Sequence, residues 1–191
     1  MVIRQIGPYQ WTQVSEAFYD ILTKFIERNC HTLELGSSTG HISFRLANEG
    51  YRVTLLDIRE EAIKEARHNF RENAAAATFI AEDFLSHNLE YDFVWCSGLI
   101  QCFTDRDKME MIQHAALLSD RFLAFYPDTD SQTKIRGTNR AQIPGVGDAL
   151  EYSVENVPLL MASKFGKIFF GRIPGCTIDM PFDMLWVYGK N

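Results

Sequence analysis

Gly36 and Gly40 bracket the turn Gly-Ser-Ser-Thr-Gly, set between the apolar Leu33 and Leu35 and a helical pattern running from His41 to Asn48. Glycine lacks a Cβ, so the backbone at these two positions can take positive φ and come close to a ligand. Thr39 or Ser38 is placed to cap the helix that follows, whose exposed N–H groups suit electron-rich ligand atoms. Asp57 stands 21 positions beyond Gly36, where an acidic side chain accepts hydrogen bonds from ribose hydroxyls. Asp83 and Phe84 set a polar group beside an aromatic face, suited to bonding an adenine amine and stacking on its ring. Each feature also has a plain structural use: a tight turn, a cap near Arg59, core packing. Their coincidence at the ends of successive predicted strands favours a nucleoside ligand.

The elements that must position these residues follow from periodicity. Apolar groups at Val14, Phe18, Ile21, Leu22, Phe25 and Ile26 predict a helix within residues 9–29, with Tyr9 and Trp11 at its front. Strands are expected at Leu33–Leu35, Tyr51–Leu56, Thr78–Ala81, Tyr91–Cys96 and Arg121–Tyr126. Helices alternate with them: Ile42 and Leu46 share one face, with Gly50 as the stop. Ala62, Ile63, Ala66 and Phe70 share another, and Met109, Ile112 and Ala116 a third, behind a Thr104–Asp107 capping pair. This order predicts a doubly wound, mostly parallel α/β sheet with helices on both faces, formed by residues 1–191 as one domain. Residues 127–152 are polar and too long for an ordinary connection, which marks a loop on the substrate side. A helix over 157–164 and two aromatic strands, Lys167–Ile173 and Met184–Tyr188, close the chain, the strands antiparallel after the turn pair Pro174-Gly175.

Composition narrows the function classes. The chain has 191 residues, a formal charge of −6 and 23% charged residues, which speaks against a broad nucleic-acid surface. No apolar run approaches a membrane span, and the start MVIRQIGPYQW has no signal-peptide core. Cys30, Cys96, Cys102 and Cys176 show no CxxC spacing and read as reduced thiols of a cytoplasmic protein. The histidines at 31, 41, 68, 87 and 114 form no ligand spacing, so no metal site is expected. The dinucleotide fingerprint GxGxxG fails, because position 38 is Ser and position 41 is His.

The chain resembles the class I S-adenosylmethionine-dependent methyltransferases over nearly its whole length. Leu33–Gly40, LELGSSTG, looks like their first motif, an acidic residue (here Glu34) before GxGxG. Leu55–Ile58 is similar to the second, Ala81–Phe84 to the adenine-binding segment, and Tyr91–Phe103 to the fourth-strand motif. The resemblance implies a Rossmann-like seven-stranded sheet with the last strand antiparallel. It implies S-adenosylmethionine as cofactor, with S-adenosylhomocysteine as product. Gly36, Ser37 and Gly40 would line the methionine and ribose part, Asp57 would hold the ribose hydroxyls, and Ile58 would lie beside the adenine. Asp83 and Phe84 would bind the adenine, and the backbone around Ser97 would meet the methionine end. Ser38 departs from the family by replacing the middle glycine, where its side chain either crowds the cofactor or donates to its carboxylate.

The reaction expected is methyl transfer to a small-molecule acceptor through an O or N nucleophile. Tyr126 and Asp128, with Asp130, follow the fifth strand and are the candidates for a base facing that acceptor. Lys134, Arg136 and Arg140 give the long loop a positive charge suited to a carboxylate or phosphate on the acceptor. Cys96-Ser97-Gly98-Leu99 stands where methyltransferases of amide or adenine nitrogens carry an Asn-Pro-Pro-Tyr-like motif, which lowers nucleic-acid substrates. The competing readings are a protein acceptor, a non-catalytic binding subunit with the same fold, and a nicotinamide oxidoreductase.

Overall fold

The computed structural model describes residues 2–71, 76–128, 156–175 and 183–191. Its centre is a seven-stranded sheet built from β3 (His31–Leu35), β4 (Arg52–Asp57), β5 (Ala77–Ala81), β6 (Phe93–Ser97), β7 (Arg121–Pro127), β8 (Lys167–Ile173) and β9 (Met184–Lys190). The spatial order is β5-β4-β3-β6-β7-β9-β8. β3 to β7 pair in parallel, and β9 runs antiparallel to both β7 and β8. The chain therefore winds outward from β3 to β5, returns, and winds outward again through β6 and β7. That reversal between β3 and β6 opens a crevice at the carboxyl ends of the strands.

Alternate side chains go to opposite faces of the sheet, and both faces are covered at the central strands β3, β4, β6 and β7, while the edge strands β5 and β8 stay partly exposed. Val53, Leu55, Trp95, Leu123 and Phe125 pack on one side with residues of α1 (Gln13–Leu22), α2 (His41–Asn48) and α3 (Glu60–Asn69), among them Phe18, Leu46 and Ile63. Leu33, Leu35, Leu56, Cys96 and Ala124 pack on the other with residues of α4 (Asp105–Leu118) and α5 (Val157–Ala162), among them Met111, Ile112 and Met161. Strands buried on both faces read as continuous apolar runs, which is why they stand out in the sequence. The capping signals also hold: the Asp107 N–H donates to Thr104 Oγ1 at 3.2 Å, and Gly50 follows α2 at φ +87°.

The N-terminal segment corrects the expectation of a helix across residues 9–29. β1 (Val2–Ile6) and β2 (Tyr9–Thr12) form a two-stranded antiparallel hairpin around Gly7, at φ +55°, and only Gln13–Leu22 is helical. Tyr9 and Trp11 are buried while Gln10 between them is exposed, the period of a strand rather than a helix. Thr12 then starts α1, with its Oγ1 accepting the Ser15 N–H at 3.2 Å. Residues 129–152 of the long loop, with Lys134, Arg136 and Arg140, lie outside the described residues, as does Cys176. Among the described residues no helix is long and apolar enough to cross a membrane.

Candidate functional site

The turn after β3 is held by backbone hydrogen bonds, one to the neighbouring strand β4 and one within the turn. The Ser37 N–H donates to the Leu56 carbonyl at 3.0 Å, and the Gly40 N–H to the Ser37 carbonyl at 2.9 Å. Gly36, Ser38 and Gly40 all take positive φ, at +64°, +50° and +76°. Gly40 itself is the N-cap of α2, so neither Thr39 nor Ser38 caps that helix as expected from sequence. The Thr39 carbonyl instead accepts a hydrogen bond from the Tyr9 hydroxyl, which also accepts from Asn69 Nδ2 at 3.1 Å.

Ser38 therefore adopts the left-handed conformation that a glycine would take without strain. The Ser38→Gly protein is expected to be more stable by about 1 kcal/mol, read as a shifted denaturation midpoint; an unchanged or lower midpoint would refute strain at this residue. The Ser38 side chain is exposed and lines the cavity, while its N–H donates to Asp57 Oδ2 at 2.8 Å.

Asp57 ends β4 and is 4% exposed. Its Oδ1 accepts the Arg59 N–H at 2.9 Å and Arg59 Nε at 3.1 Å, and its Oδ2 accepts Arg59 Nη2 at 3.2 Å besides the Ser38 amide. Burial works to raise its pKa, but the Arg59 and Ser38 hydrogen bonds outweigh burial and hold it below the usual carboxylate range. Asp57 is thus an ionised acceptor at neutral pH. Below the turn, Glu34 is buried beside Ser43, whose hydroxyl donates to Glu34 Oε2 at 2.5 Å. Burial, with a smaller push from the Asp57 charge, raises its pKa to about 8.

A cavity of about 640 Å³ opens at the ends of β3, β4, β5 and β6. Gly36, Ser38, Asp57, Ile58, Asp83, Phe84 and Ser97 line it, all of them singled out in the sequence. Glu34, Ser37 and Gly40 are not among the lining residues; they support the turn from behind. Arg59, Glu82, Leu99, Cys102 and Phe103 are wall residues that sequence reasoning missed. Arg59 carried a signal, since two steps past a strand-ending Asp returns a side chain to the same side. Leu99 and Cys102 fall within the Tyr91–Phe103 stretch likened to the fourth-strand motif, but nothing in their residue types marked them singly as wall residues, because they arrive from the turn after β6. An ideal Cβ at Gly36 would lie 2.9 Å from Leu99 Cδ1, so the glycine lets that turn close over the first one. Ile58, 71% exposed at the rim, is a large apolar group with free area for a ligand.

The comparison with protein families decides what this arrangement is. Residues 26–139 match the model of a family described as a methyltransferase domain, a span that includes every cavity residue. The chain belongs to the class I S-adenosylmethionine-dependent methyltransferases. A curated relative, the magnesium-protoporphyrin O-methyltransferase of Synechocystis PCC 6803, is 31% identical over 108 residues, 54% of this chain. The chain matches 47% of that relative, about half its length.

Solved structures agree on the methyltransferase fold. The magnesium protoporphyrin IX methyltransferase of Synechocystis PCC 6803 with bound SAH superposes with a TM-score of 0.72 at 21% identity, covering 94% of this chain and 82% of that one. The N-methyltransferase NodS of Bradyrhizobium japonicum gives 0.70 at 15% identity, covering 94% and 97%.

The structure places Tyr126 and Asp128 away from the cavity wall. Tyr126 is 1% exposed in the core face that carries α4 and α5, and burial, with a smaller push from Asp128, raises its phenol well above the usual range. Asp128 is also buried and pairs with Arg172 Nη2 at 3.1 Å. A neutral phenol in that core is a poor proton acceptor, and neither Tyr126 nor the Arg172-paired Asp128 lines the cavity.

Proposed function

We propose that the chain binds S-adenosylmethionine in this cavity and transfers its methyl group to a small-molecule acceptor. The observation that carries the reading is the ionised Asp57 carboxylate at the end of β4, beside a positive-φ turn and facing a cavity of about 640 Å³. That volume lies within the range of nucleotide-sized sites. The site fits the cofactor: Asp57 offers acceptors for ribose hydroxyls in place of the exposed Arg59 guanidinium that now occupies them, Phe84 and Ile58 offer apolar faces to the base, and Gly36 and Ser97 leave backbone for the methionine end. Ser37 Oγ, buried in the turn without a partner among the described residues, is a further polar atom in this neighbourhood. The small-molecule acceptor is supported by similarity to the magnesium-protoporphyrin enzyme, which acts on such a molecule.

When bound, the cofactor supplies an electrophilic methyl on a sulfonium. The chain's residues bind and orient: Asp57 fixes the ribose, and Leu99 and Phe103 keep water from the wall beside Ser97. Positioning of this kind removes much of the barrier to an in-line displacement. A dedicated base is required only for an acceptor that must lose a proton.

S-adenosylhomocysteine is expected to raise the melting temperature, and NADH to leave it unchanged. Asp57→Ala is expected to weaken S-adenosylhomocysteine binding by roughly 10- to 150-fold, the loss of charge-assisted hydrogen bonds worth about 1.5–3 kcal/mol. Equal affinity in parent and variant by calorimetry would remove Asp57 from the site. Methyl transfer to members of a metabolite panel then tests turnover.

A further inference from the structure

We infer that His87 is a positioning residue: from beneath the cavity it holds the Glu82 carboxylate in the wall, where Glu82 reads the amino edge of the purine. The inference rests on the nucleoside reading above and deepens it.

Glu82 leaves the end of β5 and lines the cavity. Its Oε1 is hydrogen-bonded to Nδ1 of His87, an imidazole only 4% exposed. The other ring nitrogen, Nε2, lies 2.8 Å from the Tyr91 hydroxyl. A carboxylate only accepts, so Nδ1 carries the hydrogen and donates; in the neutral ring Nε2 then accepts from Tyr91. The backbone of His87 is engaged as well. Its N–H donates to the Phe84 carbonyl at 3.1 Å, closing the turn that carries the aromatic wall, and its carbonyl accepts from His114 Nε2 at 2.7 Å. Tyr91 in turn packs edge-on against His31, with centroids 4.9 Å apart, and His31 Nε2 meets Thr54 Oγ1 at 2.8 Å. Glu82 is thus tied through two rings to the floor of the sheet.

Asp83 is held differently. Its side chain is exposed, and Oδ1 accepts the Leu85 N–H at 3.1 Å as the cap of the short turn Phe84–Ser86. Of the two adjacent carboxylates, Glu82 is the one fixed by a buried partner, with Oε2 left for a donor in the cavity. An adenine amine supplies that donor. A purine with a carbonyl at the same position would set an acceptor against a carboxylate, and such a mismatch in a built polar site discriminates strongly.

The test compares the melting shifts and calorimetric affinities given by S-adenosylhomocysteine and by its inosine counterpart. The parent is expected to prefer the adenine ligand by tenfold or more, on the order of a hydrogen bond to a charged group. Glu82→Gln, which keeps shape and can both donate and accept, is expected to bring the preference to within about twofold. His87→Leu is expected to do the same, and His87→Asn, whose amide can donate to Glu82 as Nδ1 does, to restore part of it. A preference that survives in Glu82→Gln, or that falls in Asp83→Asn instead, overturns the inference and leaves the cofactor reading standing. Binding of neither ligand to the parent overturns both. Should His87→Leu fail to fold, His87→Asn decides the positioning role: a preference below that of the parent supports it, and an unchanged preference together with a lost Glu82 contact overturns it. Glu82→Gln, at a side chain 38% exposed, decides whether Glu82 reads the amine.

Discussion

Gly40→Ala is expected to cost about 2–5 kcal/mol of folding stability, the sum of a left-handed backbone penalty and of overpacking. The φ of +76° at this N-cap disfavours any residue with a Cβ. Space forbids one independently: the added atom would lie 2.1 Å from Leu55 Cδ2 and 3.4 Å from Phe70 Cε2. Leu55 and Phe70 are each 0% exposed, so neither can swing aside without displacing the core around Phe44 and Ile63. For a domain of this size the melting midpoint should fall by about 5–15 °C. Gly50 is the control, since it has φ +87° but nothing within 4 Å of an added Cβ. Gly50→Ala should therefore show the backbone penalty alone, about 1–2 kcal/mol. Equal losses at the two positions in urea titrations would mean that Leu55 does not press on the turn.

The second large effect is a pH dependence that originates at Glu34. Its carboxyl is buried, and its pKa rises from 4.5 to about 8 on folding. A raised folded-state value means that the native chain keeps a proton which the unfolded chain releases. The contribution to stability is complete below pH 4.5 and declines as pH rises toward 8, by on the order of 5 kcal/mol in total. Glu34→Gln cannot titrate, so its stability should stay level across this window. The difference between variant and parent should grow with pH and saturate above about 8. Denaturation curves at several pH values read this directly, and parallel curves for the two proteins would refute the raised value. Ser43 keeps an acceptor in the variant, so the comparison isolates the charge.

The parallel core was legible because its strands are short apolar runs separated by helices with a clear buried stripe. The lining residues Gly36, Ser38, Asp57, Asp83 and Phe84 were legible for the same reason, since they follow recognisable strands, whereas Ile58 and Ser97 were named only through the resemblance to the methyltransferase family. Glu34, Ser37 and Gly40 belong to the same motif, yet three-dimensional packing turns them inward, which the order of letters does not encode. The hairpin Val2–Thr12 was hidden by the helix that follows it, whose apolar spacing runs back into Tyr9 and Trp11. Gly7-Pro8 was the signal that a turn, not a helix, stands there. The Glu82–His87 bond had no signature, because a histidine five positions on looks like any other loop residue until Tyr91 and His114 close around it.

One hydroxyl gives that hairpin a weight beyond its length. The Tyr9 phenol joins Thr39 and Asn69, which lie 30 and 60 positions away along the chain. Contacts this distant close only after the intervening loops have given up their entropy. The rigidity of the glycine turn is therefore a property of the finished tertiary assembly and not of the motif's own letters. A shortened chain beginning at α1 would keep every residue of the cavity wall while losing the clamp that holds its first turn in shape.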